Sequence, residues 1–161
     1  MSRFLHSLFG KTEPMLTEAS ARDAASIAVL HGQSFQRGWS DGEVEGLLRD
    51  RAVLAHRAMV GKKMTAFIMS RIAAGEAEIL SVAVARGEQG RGLAARLLNL
   101  HLRRLAGVGV EAVFLEVGES NAPAVRLYAK AGFNEVARRE NYYNEAQGRR
   151  GAALVLRRDL V

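Results

Sequence analysis

The sequence predicts a mixed α/β domain in three layers, with helices on both faces of one sheet. Its 161 residues, 48% hydrophobic and 25% charged, are typical of one globular domain with its own core. Strand-like segments come first, strands and amphipathic helices then alternate, and two strand-like segments close the chain. This order predicts a single domain at residues 14–161, after a flexible leader at residues 1–13.

Two serines mark the starts of the first helices. Ser20 stands three residues before Asp23, and Ser40 three residues before Glu43, which is the spacing of a capping box. In such a box, the serine hydroxyl and the acid side chain accept hydrogen bonds from the backbone of the first turn. The elements predicted in this half are a strand at 15–19, helices at 20–32 and 40–48, and strands at 52–60, 64–72 and 77–85.

The second half predicts two helices that alternate with strands. The first has leucines at helical spacing from Leu93, and Gly107 is expected to end it in a left-handed conformation. Pro123 suits the first turn of the second helix, and Gly132 suits its end. The predicted elements are helices at 93–106 and 121–131, a buried strand at 112–117, and an antiparallel pair of strands at 133–140 and 152–157.

The composition excludes several kinds of chemistry. The absence of cysteine rules out disulfides, thiolate catalysis and cysteine-ligated zinc. The four histidines are isolated, with no partner at metal-ligand spacing, so no metal site is predicted. No apolar run approaches the roughly 20 residues that a membrane helix requires, and the first residues lack the pattern of a secretory signal. We therefore expect a cytoplasmic protein with no membrane association.

The charge points to an anionic partner. The net charge of +6 suits nucleic acid, an acidic protein surface or a phosphate-rich cofactor, and charge alone does not choose among them. The basic pairs Arg103-Arg104 and Arg149-Arg150 are short and more typical of solvated faces than of nucleic-acid contacts. Direct nucleic-acid binding is therefore not expected.

The most informative segment is the glycine-rich turn at residues 89–94, which follows a strand and opens a helix. Gly90 and Gly92 permit backbone conformations that a Cβ atom disfavours. The first N–H groups of a helix are unpaired and carry the positive end of its dipole, so they favour a pyrophosphate. Arg91 and Arg96 lie close by in sequence. An ordinary surface turn also fits this segment, whereas a Walker loop does not, because no Gly-Lys-Ser/Thr ends it.

Several motifs together resemble the GNAT family of N-acetyltransferases. The turn Gln89-x-x-Gly92-x-Ala94, after the strand 79–84, is similar to the family's acetyl-CoA motif Q/R-x-x-G-x-G/A. The other matching motifs are Leu115-Glu116-Val117, Ser120-Asn121-x-x-Ala124, Leu127-Tyr128 and Gly132-Phe133. The resemblance implies a mostly antiparallel central sheet whose parallel central strands splay apart between flanking helices. It also implies acetyl-CoA as cosubstrate and no metal.

The resemblance implies the following contacts to acetyl-CoA. The backbone of Val82, Ala83 and Val84 would pair with the pantetheine arm as a further strand would. Asn121, at a helix start, would bond to the cofactor arm. The residues expected to hold the pyrophosphate are Gln89, Gly90, Arg91, Gly92, Leu93 and Ala94.

Glu116 and Tyr128 are the implied catalytic residues. Transfer from a thioester to an amine needs a neutral amine, donors for the oxyanion and a proton for the leaving thiolate. Glu116 stands in an apolar strand, where partial burial would make it a stronger base acting through water; a strand-end glutamate paired with an arginine is the alternative. Tyr128 matches the tyrosine that protonates the departing sulfur in the family, and a core-packed helix tyrosine is the alternative.

The acceptor side rests on three aromatic residues, Trp39, Tyr142 and Tyr143. Within the family, the chain is similar to enzymes that acetylate the N-terminal alanine of a ribosomal protein, although Arg37-Gly38 and Gly118-Glu119 depart from that pattern. The expected partner is thus a protein or peptide N-terminus. Lysine side chains, other protein N-termini and small amines remain alternative acceptors. A non-catalytic module that binds CoA or nucleic acid is a third interpretation, which would need neither Glu116 nor Tyr128.

Overall fold

A computed structural model describes residues 12–144 and 149–161, with the side chains of 141–144 and 149–150 left aside. Within these ranges, seven strands form one sheet in the order β1-β2-β3-β4-β5-β7-β6. The strands are β1 Met15–Glu18, β2 Val53–Val60, β3 Lys63–Ala73, β4 Glu76–Val84, β5 Ala112–Gly118, β6 Asn134–Asn144 and β7 Arg149–Asp159. The helices are α1 Ala24–Ser34, α2 Asp41–Arg49, α3 Leu93–Gly107 and α4 Ala122–Lys130, with 3-10 turns at Ala21–Asp23 and Arg86–Glu88. The predicted leader lies almost wholly outside the described residues.

Both predicted capping serines stand at helix starts. The N–H of Ser20 donates to the Asp23 carboxylate at 2.8 Å, where the 3-10 turn before α1 begins. The N–H of Glu43 donates to Ser40 Oγ at 3.1 Å, at the start of α2. Local side-chain bonds therefore fix these two starts, as the sequence predicted.

Helices cover the two faces of the sheet with separate cores. On one face, α3 packs against β2, β3 and β4. Its Leu97 and Leu98 share a buried cluster with Ile68 and Ile79. On the other face, α1 packs against β3 and β4, and α2 packs against β2. They form a second cluster, which includes Ile27, Val44, Phe67 and Met69. The predicted three-layer architecture is confirmed.

The central strands part where the sheet changes direction. All neighbouring strands are antiparallel except β4 and β5, which are parallel. In the described residues, these two strands pair only where Glu76, Ala77 and Glu78 face Ala112, Val113 and Phe114. Beyond that point β4 stays paired with β3, and β5 with β7. The gap thus opens toward the carboxyl ends of β4 and β5, where ligands bind in sheets with parallel strands.

The left-handed cap residue of α3 lies two residues later than predicted. Gly107 is the last residue of α3, and Gly109 adopts the left-handed conformation instead, with φ of 92°. The N–H of Val110 donates to the carbonyl of Leu105 at 3.0 Å, and the N–H of Gly109 to that of Ala106 at 3.0 Å. This is the bond pattern of a Schellman cap.

No helix in the described part of the chain is long and apolar enough to cross a membrane.

Candidate active site

A cleft of about 540 Å³ lies at the gap between β4 and β5. Both strands, α4 and the loop between α1 and α2 contribute to its walls. Five residues singled out from the sequence line it together: Trp39, Val82, Glu116, Asn121 and Tyr128. The structure therefore brings both candidate catalytic side chains to one cavity.

Tyr128 is buried at the wall of this cleft. Only 7% of the residue is exposed, and its ring meets Phe133 edge-on, with 5.5 Å between the ring centroids. Burial raises the pKa of the Tyr128 phenol to about 12, so the hydroxyl stays protonated at neutral pH. No residue in the described part of the chain forms a hydrogen bond with it. The hydroxyl is thus a donor held ready at the cleft.

Glu116 is partly exposed and lies close to an arginine. Its side chain is 35% exposed, and Oε1 lies 3.6 Å from Nη1 of Arg139. The side chain is thus partly buried, and it projects from the sheet face that α1 and α2 leave partly uncovered. The alternative, a strand glutamate paired with an arginine, describes its contacts, yet the residue still lines the cleft.

Asn121 caps α4 at the edge of the cleft. Its Oδ1 accepts a hydrogen bond from the N–H of Ala124 at 3.3 Å. This bond orients the side chain and leaves the amide NH₂ without a partner among the described residues. A donor group therefore remains for a ligand in the cleft.

The backbone of β4 presents alternate residues to the gap. The N–H of Ala85 donates to the carbonyl of Thr65 on β3 at 2.8 Å. Because backbone groups of successive strand residues point to opposite sides, Ala83 also faces β3, while Val82 and Val84 face the gap. Of the three residues expected to pair with the pantetheine arm, only Val82 and Val84 therefore direct backbone groups into the gap.

The glycine loop lies at the open end of the gap. Gly90 and Gly92 have φ of 78° and 77°, in the left-handed region that favours glycine. The N–H of Arg96 donates to the carbonyl of Gly92 at 3.1 Å, which leaves the N–H groups of Leu93 and Ala94 ahead of the helical ladder. The loop is tied to β4 by a bond of 3.1 Å from the Gln89 amide to the Val84 carbonyl.

The two arginines near this loop are paired with carboxylates. Arg91 lies 3.6 Å from Glu88, and Arg96 lies 3.1 Å from Glu13. Both pairs are at the surface, where ion pairs contribute little and exchange readily. The arginines can therefore turn toward an anion, but the fixed positive potential comes from the helix terminus.

His31 is a cleft residue that sequence reasoning missed. Its ring stacks on the rings of Trp39 and Phe35, with 4.0 Å and 4.4 Å between the ring centroids. Its Nδ1 accepts a hydrogen bond from the backbone N–H of Trp39 at 3.1 Å. Burial lowers the pKa of His31, an effect that the Glu43 carboxylate partly offsets, so the ring is neutral at pH 7 and Nδ1 can accept. Trp39 is therefore held as a wall of the cleft. In the sequence, His31 lies eight residues before Trp39 and belongs to no motif, so nothing there predicted the contact between them.

Two predicted acceptor residues are not placed by the structure. Tyr142 and Tyr143 belong to β6, but their side chains lie outside the described residues. For metals, the described residues contain no cluster of three or more His, Cys, Asp or Glu side chains that could hold an ion.

Most of the sequence matches a known protein family. A family model described as the acetyltransferase (GNAT) family matches residues 24–133. The chain belongs to the GNAT acetyltransferase family. The match spans α1 to α4 and includes the gap, the glycine loop, Glu116 and Tyr128.

Individual relatives share both sequence and fold. The ribosomal protein bS18-alanine N-acetyltransferase of Salmonella typhimurium is 40% identical over 93 residues, 58% of this chain and 63% of that protein. The enzyme of the same name from Haemophilus influenzae is 30% identical over 88% of this chain and 96% of its own length. The crystal structure of the ribosomal-protein-S18-alanine N-acetyltransferase from Escherichia coli superposes with a TM-score of 0.81 at 28% identity, covering 91% of this chain and 94% of that one. The alignment to the Salmonella protein thus spans just under two thirds of it.

Proposed function

We propose that the protein transfers the acetyl group of acetyl-CoA to the N-terminal alanine amine of a ribosomal protein. The observation that carries this proposal is the single cleft that joins the β4–β5 gap to Glu116 and Tyr128. The bacterial relatives named for the alanine of ribosomal protein bS18 support the acceptor. Ribosomal proteins are made in the cytoplasm, and we place the protein there.

The residues around the gap fit acetyl-CoA. The backbone of Val82 and the N–H of Val84 face the gap and can pair with a strand-like pantetheine arm, as an exposed sheet edge does with a peptide. The carbonyl of Val84 is already bonded to the Gln89 amide. The N–H groups at the start of α3 suit its diphosphate. The free NH₂ of Asn121 can donate to an amide carbonyl of the arm. When bound, acetyl-CoA supplies an activated acetyl group at the wall formed by Glu116 and Tyr128.

Glu116 would accept the proton that the acceptor amine loses. The amine nitrogen bonds to the thioester carbon, the carbon–sulfur bond breaks, and the proton moves to the carboxylate directly or through water. Tyr128 would donate a hydrogen bond to the departing sulfur. A phenol with a pKa of about 12 is a weaker acid than a thiol with a pKa near 8.5. Its contribution is therefore stabilisation of developing negative charge, rather than complete proton transfer ahead of bond cleavage.

The ionisation of the acceptor favours an N-terminal amine over lysine. An α-amino group has a pKa of about 8, so about a tenth of it is neutral at pH 7. A lysine with a pKa of about 10.4 is neutral to roughly one part in 2,500 at that pH. At neutral pH, the first acceptor therefore needs much less assistance from a base than the second.

Another protein N-terminus is a second candidate acceptor. The departures from the alanine-acetylating pattern include Arg37 and Gly118, and both residues line the cleft. A cationic side chain in place of an apolar one changes which peptide residues the cleft can accommodate. The chemistry would be unchanged.

A panel of acceptors tests the proposal. The protein is incubated with acetyl-CoA and an Ala-initiated peptide from the N-terminus of bS18, the same peptide with its α-amine blocked and an added lysine, peptides with other first residues, and a polyamine. Thiol release and the peptide mass are followed. We expect turnover on the Ala-initiated peptide and none after its α-amine is blocked. Turnover confined to lysine or polyamine would contradict the proposal, and CoA binding without any turnover would indicate a binding module.

A further inference from the structure

A β-bulge re-aims one side chain of β4 toward the cleft. Across the β3–β4 pair, Met69 lies opposite Ser81, but the next residue, Ser70, lies opposite Ile79. Leu80 is therefore an extra residue in β4. Because side chains alternate between the faces of a sheet, one extra residue moves those that follow to the opposite face. Ser81 thus projects from the same face as its partner Met69.

That face is the one from which Glu116 projects. Arg71, two residues along β3 from Met69, lies opposite Glu78, and Glu78 lies opposite Phe114 on β5. Side chains of directly opposed residues share a face. Glu116 is two residues beyond Phe114 and so shares it as well. Ser81 and Glu116 therefore flank the gap on one face, and both line the cleft.

The hydroxyl of Ser81 lacks a partner in the protein. Among the described residues, its Oγ is the one buried side-chain oxygen or nitrogen atom without a hydrogen bond, and the residue is 5% exposed. Leaving a buried hydroxyl unpaired costs about 1–3 kcal/mol, so buried polar groups are nearly always satisfied by protein or by water. Since Ser81 lines the cleft, a change of its rotamer can turn the hydroxyl toward water or a ligand in that cavity.

We propose that Ser81 is a positioning residue, which holds the water through which Glu116 takes the proton of the acceptor amine. This inference rests on the proposed function. The Ser81 hydroxyl donates to the water oxygen, the water accepts one proton from the attacking amine, and it passes another to the Glu116 carboxylate. Ser81 itself neither gains nor loses a proton. A fixed water gives an exposed carboxylate the orientation that its own surroundings do not provide.

Ser81→Ala tests this role through the pH dependence of turnover. Without the relay, the rate follows the fraction of amine that is already neutral, so it keeps rising until about pH 8. We expect a roughly tenfold loss of kcat at pH 6.5, within the range that base assistance contributes, and a loss of less than threefold at pH 8.5. The KM for acetyl-CoA should not change. A role in folding alone would lower the rate equally at every pH.

Ser70→Ala is the matched control, because it makes the same substitution at a buried serine on the opposite face of the neighbouring strand. The Ser70 hydroxyl is bonded to His101 at 2.6 Å, so we expect a lower melting temperature with kcat and its pH profile unchanged. A Ser81→Ala enzyme with the wild-type profile, or one that is merely more stable, would overturn the role of Ser81. If the wild-type protein acetylates none of the amines in the panel, the proposed function itself fails, and this is seen before any variant is compared.

Discussion

The two faces of the sheet treat their buried polar groups differently. On the α3 face, Ser70 bonds to His101 at 2.6 Å, and His101 bonds to His56 at 2.7 Å, so a chain of polar side chains is satisfied inside the core. On the opposite face, the hydroxyl of Ser81, which lines the cleft, has no partner in the described part of the protein. Satisfied groups hold a fold together, whereas unsatisfied ones at a cavity await a ligand. Substitutions on the two faces should therefore affect different properties.

Replacing Tyr128 should have the largest effect on the rate. Tyr128→Phe keeps the contact with Phe133 and removes only the hydroxyl that we propose donates to the departing sulfur. Loss of one such donor typically costs about a hundredfold to a thousandfold, and we expect kcat to fall within that range. Thiol release measures kcat, and calorimetry should show acetyl-CoA binding within about twofold of the wild type. Unchanged turnover would remove Tyr128 from the mechanism.

Replacing Glu116 should cost less than replacing Tyr128. Glu116→Gln keeps the shape and removes the base, but part of an α-amine is already neutral at pH 7. We expect a loss of about tenfold to a hundredfold in kcat, at the lower end of what a general base contributes. Glu78→Gln is the matched control, since Glu78 shares the sheet face but lies where β4 and β5 are still paired. Equal losses in the two variants would show that the effect is one of surface charge.

His31 should affect the acceptor and leave the cofactor side unchanged. His31→Ala removes the ring on which Trp39 stacks and the acceptor of its N–H. A stacked aromatic pair contributes about 0.5–1.5 kcal/mol, so we expect the peptide KM to rise about twofold to tenfold. The KM for acetyl-CoA, measured in the same assay, serves as the internal control. A rise in that KM with no change in the peptide KM would contradict the assignment of this loop to the acceptor.

The buried histidines His56 and His101 should make the stability of the protein depend on pH. They should not affect kcat at pH 7. Burial lowers the pKa of His56 to about 4 and that of His101 to about 3, each aided by a neighbouring positive group. The unfolded chain, with histidines near 6.5, therefore binds more protons between these values. Stability is present above pH 6.5 and is lost as the pH falls through this window. We expect the melting temperature to drop between about pH 6.5 and 5, above the range where carboxylates titrate. A level melting temperature there would contradict the buried, neutral network.

Local chemistry explains which elements the sequence predicted well. Ser20 and Ser40 form their bonds within one turn, so the helix starts were legible from the sequence. The leucine periodicity of α3 gave its buried face. The prediction that Gly107 adopts the left-handed conformation at the end of α3 was wrong. Gly107 and Gly109 both satisfy the sequence pattern, and only packing selects Gly109.

The parts of the site that depend on backbone geometry and motif spacing could be predicted from the sequence. The gap, the glycine loop, Glu116 and Tyr128 followed from motifs at family spacing. The bulge at Leu80 did not, since an extra residue in β4 is defined only by its register with β3. The stack of His31 on Trp39 and the exposure of Glu116 also depend on contacts between distant segments. Sequence reasoning therefore found the candidate catalytic residues. It missed His31 and Ser81, whose places in the cleft depend on contacts between distant segments.

A crystal structure with acetyl-CoA bound tests the central claim most directly. The account predicts the diphosphate within hydrogen-bonding distance of the N–H groups of Gly92 to Ala94. It also predicts the arm along Val82 and Val84, and the thioester between Glu116 and Tyr128. An acetyl-CoA molecule bound elsewhere, or bound here with its sulfur remote from Tyr128, would contradict it.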